Sequence, residues 1–137
     1  MIQRIQSIWL LLAAVCVFLT LTLSTYFGTN KDLIPSSFLN GLDTLPLIFA
    51  TLATGIVALI SIFLYKNRKQ QLRFTLVGLV LQLILMFLYY REIETYVGKG
   101  NFSISAVLHI AVLLFFILAA QGIRSDDKLI RDSNRLR

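Results

Sequence analysis

Residues 45–65 read LPLIFATLATGIVALISIFLY, a run without a single Asp, Glu, Lys or Arg. At about 1.5 Å per helical residue, about 20 such positions cross the hydrocarbon core of a bilayer. A helix on a soluble protein keeps one polar face in water, and this segment has none to offer. It reads as a membrane span. Asp43 or Thr44 stands before it as a candidate N-cap, and Pro46 suits the first turn, where its missing N–H costs nothing.

Moving outward, the same pattern recurs. The run stops at Lys66, Arg68, Lys69 and Arg73 follow, and a second apolar stretch covers about residues 72–90. Further stretches cover about 8–27 and about 104–123. Charged residues make up only 15% of the 137 positions and collect at segment ends, where a soluble domain carries about a quarter and spreads them. The first run is too long for the apolar region of a signal peptide, and no Ala-x-Ala site follows it, so it reads as a retained span. Trp9, Tyr26, Tyr65, Tyr89, Tyr90 and Tyr96 lie at or near segment ends, where amphipathic rings suit the membrane–water interface. Gly98-Lys99-Gly100-Asn101 reads as a turn, with Asn101 or Ser103 capping the last helix.

The expected fold is an all-α membrane protein with one membrane domain over residues 1–137. Four transmembrane helices joined by short connections form an up-down-up-down bundle, followed by a tail over residues 124–137. The basic residues thread it. Arg4, Lys66, Arg68, Lys69, Arg73, Arg124, Lys128, Arg131, Arg135 and Arg137 fall on one side, and Lys31, Arg91 and Lys99 on the other. The positive-inside rule puts the first group, and with it both termini, in the cytoplasm. Threading accounts for most of the net charge of +6, so DNA is not an expected partner. Contact of the cytoplasmic face with anionic lipid or the ribosome is compatible with the charge but not required by it.

In lipid, helices associate through small residues and polar side chains. Thr51, Thr54, Gly55, Ala58 and Ser61 recur at helical spacing in the second span, and Ala13, Cys16, Thr20 and Ser24 in the first. Gln82 falls near the middle of the third span on one face with Gly78, Met86 and Tyr89. His109 falls in the outer half of the fourth, one turn from Ser105. Polar groups at such depths face protein interior and mark packing contacts or function. With one His and no intramembrane carboxylate, Lys or Arg, a proton relay lacks its usual parts, and packing is the favoured reading.

One Cys and one His on different spans build no zinc site, and a bis-His haem needs a second His. No phosphate-binding glycine loop or nucleophile elbow is present. No cofactor and no catalytic residue is expected. Arg91, Glu92 and Glu94 read as solvated interfacial charges, and Ser125-Asp126-Asp127 as the start of a short helix in the tail. In the loop over residues 28–44, Leu33, Ile34, Phe38 and Leu39 flank Pro35 and suit either a segment lying at the interface or a docking surface.

The start, MIQRIQSIWLLLA, and the tail, DKLIRDSNRLR over residues 127–137, resemble an uncharacterised family of four-span membrane proteins from Bacteroidota. The likeness runs end to end, and the interior adds little specificity. It implies a bacterial inner-membrane location and no mechanism. It directs attention to the tail, where Leu129, Ile130 and Leu136 can share one face of a short helix with Arg131, Arg135 and Arg137 around it. The alternative is a solvated topology anchor.

Two functions compete. The first is a non-enzymatic accessory subunit or assembly factor of an inner-membrane complex, contacting other integral membrane proteins. Its contacts would come from Thr51, Gly55, Ala58, Gln82, His109 and the tail. The second is a small oligomeric transporter or channel using Gln82 and His109.

Overall fold

The computed structural model describes residues 3–30, 32–33 and 35–135. The elements are α1 (Gln3–Thr22), β1 (Tyr26–Thr29), β2 (Ser37–Leu39), α2 (Leu45–Phe63), a 3-10 turn (Leu64–Lys66), α3 (Arg68–Ile93), β3 (Val97–Phe102) and α4 (Ala106–Arg135). All four α-helices are long and apolar enough to cross a membrane, with mean hydropathy between 2.0 and 2.5 over their most apolar stretches. The protein is a multi-pass membrane protein by that criterion. α1 packs against α2 and α4, and α3 packs against the same two.

The bundle core is built from small residues and a few large ones. Leu10, Ala13, Ala14 and Val17 of α1 meet Ala58 of α2 and Val112, Phe116 and Ala119 of α4. Phe116 is fully buried because α3 carries Gly78 opposite it: a Cβ there would lie 2.5 Å from Phe116 Cε1. Gly55 makes the same room for Phe18 of α1, whose Cζ would lie 2.7 Å from an added Cβ. Close approach at small residues maximises dispersion contact, since lipid supplies no hydrophobic drive between helices.

The expectation of an all-α fold is corrected by a three-stranded antiparallel sheet of order β2-β1-β3. Tyr26 pairs with Leu39 and Phe102, and Phe27 with Phe38 and Asn101. Gly98–Asn101, expected to be a turn, lies within β3, where Gly98 takes φ +88° beside a register shift opposite Phe27–Thr29. A glycine adopts that backbone without Cβ strain. The loop between residues 28 and 44 thus contributes β2 to an antiparallel pairing with β1. Phe38 and Leu39 belong to β2, Leu33 is exposed, and Ile34 lies outside the described residues.

The sheet gathers the end of α1, the start of α2, the end of α3 and the start of α4 at one end of the bundle. The 3-10 turn, the start of α1 and the charged end of α4 lie at the other. The sheet end answers backbone groups that a helix terminus leaves open. The Thr20 carbonyl accepts the Gly41 N–H at 3.2 Å and the Tyr89 hydroxyl at 3.4 Å. The Thr25 N–H donates to Leu39 O at 2.8 Å, the Ser103 N–H to Thr25 O at 3.0 Å, and the Ser105 hydroxyl to Ser24 O.

Helix limits also differ from the apolar runs. α1 stops at Thr22, and Tyr26 and Phe27 leave the first span to enter the sheet. Thr44 is the N-cap of α2 but makes no side-chain cap bond, while Asp43 Oδ2 accepts the Asn40 N–H at 2.6 Å. No separate tail helix begins at Ser125, because α4 continues unbroken to Arg135.

Candidate functional site

Gln82 and His109, separate candidates in the sequence, form one cluster. Gln82 lies on the buried face of α3 with Gly78, Leu85 and Tyr89. Its Nε2 donates to the His109 carbonyl on α4 at 3.2 Å and lies 3.5 Å from His109 Nδ1. His109 Nε2 lies 3.3 Å from the Thr25 hydroxyl between α1 and β1. One tautomer satisfies both ring contacts: Nδ1 accepts from Gln82, and Nε2–H donates to Thr25. The Tyr89 ring packs on the imidazole at a centroid distance of 4.5 Å, and its hydroxyl reaches Thr20 O.

Four side chains thereby tie α1, α3 and α4 together below the sheet. Gln82 Oε1 is left over, buried without a protein partner. His109 also borders a side cavity of about 420 Å³ between α3, α4 and β3. Met86, Ile93, Phe102, Val107 and Ile110 make its walls largely apolar, and Thr25, Tyr89, Tyr90 and Ser103 join His109 as its polar residues. Its volume is within the range of small-ligand pockets.

Tyr26 and Tyr89, read from the sequence as segment-end aromatics, are buried in the core at the sheet end. Tyr26 packs edge-on against Tyr96 and Phe102 at 5.4 and 5.2 Å. Burial pushes the Tyr96 phenol above its ordinary pKa. Tyr65 and Tyr90 do lie exposed.

The stripe of α2 is consumed inside the chain. Thr51, Thr54, Gly55, Ala58 and Ser61 are all buried. The Thr51, Thr54 and Ser61 hydroxyls donate to carbonyls one turn back at 2.7, 2.8 and 2.7 Å, which satisfies them without a neighbour. Thr20 and Thr75 do the same on α1 and α3.

At the opposite end sits a contact the sequence reasoning missed. The Gln6 amide of α1 donates to the Asp126 carboxylate of α4, both side chains being 5% exposed. Gly122, one turn before Asp126, makes room, since a Cβ there would lie 2.9 Å from Gln6 Cγ. The signal was present as one of two Gln near one end, Gln3 and Gln6, and an Asp four positions after a Gly near the other, too weak to pair along the chain.

Beyond Asp126 the helix is solvent-facing. Leu129 and Ile130 are 55% and 45% exposed, and Arg131 and Arg135 are exposed beside them. Arg131 Nη2 pairs with Asp127 Oδ2 at 2.8 Å, one turn apart. Leu136 and Arg137 lie outside the described residues. Among the described residues, no three His, Cys, Asp or Glu side chains gather in a metal-binding group.

A family pattern described as a domain of unknown function, DUF4293, matches residues 2–136. The chain belongs to that family. The DUF4293 match takes in the bundle, the sheet and the arm of α4 beyond Asp126, so all three lie within one family unit. No curated protein and no solved structure matches the chain.

Proposed function

We propose that this DUF4293 protein is a non-enzymatic accessory subunit or assembly factor of a bacterial inner-membrane complex, with both termini in the cytoplasm. The observation that carries the reading is the arm of α4. From Arg124 to Arg135 it runs about 18 Å past the apolar part of the helix, at about 1.5 Å per residue. Gln6 clamps its base to α1 through Asp126, and the Asp127–Arg131 pair supports its next turn. A held helix presents Leu129 and Ile130 to a partner at a lower ordering cost than a flexible tail.

The rest of the molecule supports association rather than chemistry. The hydroxyl stripe is satisfied by its own helix, and Gln82 and His109 bond to each other between helices, which favours packing over a permeation path. The ten-to-three division of basic residues supports the orientation.

The test is extraction of the tagged full chain from native membranes in mild detergent. The wild type should bring out partners in fixed stoichiometry. Leu129→Glu with Ile130→Glu should lose them while remaining inserted and folded. A wild-type chain that emerges alone would overturn the reading.

A further inference from the structure

Two basic segments distant in sequence meet at the arm end of the bundle. Arg68, Lys69 and Arg73 come from the first turns of α3, and Arg124 and Arg131 from α4. They surround a cavity of about 280 Å³. Asp127 is its single acidic group, and it is already engaged with Arg131. The first turn of α3 holds no acidic residue to answer the rest. Such a concentration of like charge raises the free energy of the empty site and favours an anion there.

The floor of the cavity is different in character. It is made by Leu72 and Ile123. One and two turns deeper on α3, Leu76 and Val80 continue the Leu72 row and are 37% and 53% exposed. Cations at the mouth and an exposed aliphatic row below it match an amphiphile with an anionic head and acyl chains. A free phosphate or an RNA backbone would use the cations and leave the row uncovered.

We infer that the hollow between the start of α3 and the arm of α4 binds an anionic phospholipid. Arg68, Lys69, Arg73 and Arg124, the cations that Asp127 does not pair with, hold its phosphate groups, and its chains lie along Leu72, Leu76 and Val80. The excess of cations over carboxylates selects a headgroup with two phosphodiesters, of the diphosphatidylglycerol class, over one with a single phosphate. The site rests on the proposed placement of this end at the membrane surface. It deepens that reading by giving the basic face a ligand.

The experiment is native mass spectrometry of the full chain in mild detergent, titrated separately with diphosphatidylglycerol, phosphatidylglycerol and phosphatidylethanolamine. Retention should fall in that order. Arg73→Gln with Arg124→Gln should weaken diphosphatidylglycerol binding about 30-fold, at roughly fivefold per basic residue near the surface. Arg73→Lys with Arg124→Lys should retain most of the binding, and Arg91→Gln with Lys99→Gln, at the sheet end, should leave it unchanged. Equal retention of all three lipids would overturn the inference, as would an unaltered Gln double variant of unchanged thermal stability. Displacement of bound lipid by millimolar inorganic phosphate would assign a free-anion site, and displacement by ribosomal RNA a nucleic-acid site. Either result also overturns it. Lost lipid selectivity with partners still co-purifying would remove this inference alone, and the converse would remove only the accessory-subunit reading.

Discussion

The Gln6 side chain on α1 donates a hydrogen bond to the Asp126 carboxylate on α4, 120 residues away, and both groups are buried. This contact decides where the arm of α4 leaves the bundle. A buried carboxylate is stable only while its lone pairs are answered, so Gln6 and Asp126 hold each other in place. Gly122 is part of the same arrangement, because any larger residue there would push Gln6 off α4.

Asp126→Ala should therefore lower stability by about 1–3 kcal/mol, the cost of an unmade buried bond to a charged group. Gln6→Leu should cost a similar amount, and the double variant less than the sum of the two. Thermal unfolding of the four proteins in one detergent reads the coupling. Strict additivity would mean that the two side chains do not interact.

Gly78 and Phe116 make a second coupled pair, with opposite chemistry. Gly78→Ala puts a methyl group 2.5 Å from Phe116 Cε1 and 2.8 Å from its Cζ. Overpacking of that kind costs about 1–3 kcal/mol. Phe116→Leu removes the ring that the methyl meets, so Gly78→Ala should cost much less in the Phe116→Leu background. Unfolding midpoints in mixed micelles give the comparison.

Gln82→Leu should be mild. It removes the interhelical bond to the His109 carbonyl and the longer contact to Nδ1, each worth on average about 0.6 kcal/mol in a membrane, and also removes the unpartnered Oε1. His109→Ala should cost more, because it loses the Thr25 contact and the packing of the Tyr89 ring as well. The ranking is measured by equilibrium unfolding. Abolition of a transmembrane flux by Gln82→Leu in a fully folded protein would instead favour a transport role.

Gly41→Ala tests the seam between α1 and the hairpin. Its Cβ would lie 2.8 Å from Thr20 O and 3.1 Å from Leu21 Cα, both backbone atoms that cannot turn aside. The Gly41 N–H to Thr20 O bond should break, and the sheet end should loosen. Amide hydrogen exchange at Thr25 and Ser103 should quicken, with the amides in the middle of α2 unaffected. Unchanged exchange at both would show that the hairpin docks without this contact.

Much of this architecture was legible along the chain. Uncharged runs of about 20 residues have no stable alternative to spanning helices, because every backbone polar group in lipid must be bonded within its own segment. The small residues of α2 announced their packing role by spacing, since residues three or four apart share a helix face. The depth of Gln82 and His109 marked them as inward-facing, and both are buried. The sheet was not legible. Its strands are three to six residues long, and β3 contains Gly98, Gly100 and Asn101, which read as turn residues. Pairing of Tyr26 with Phe102 exists only after four helix ends have been brought together.

Composition and periodicity alone determined four helices long and apolar enough to cross a membrane and the segregation of basic charge, because a bilayer sets length and polarity for each segment independently of its neighbours. Tertiary structure alone decided which polar groups meet. Gln82 with His109, Gln6 with Asp126, and Arg73 with Arg124 around one cavity are pairs from different helices. Their meeting depends on how the helices are rotated against one another, which local sequence does not record even where it shows the glycines that let backbones approach.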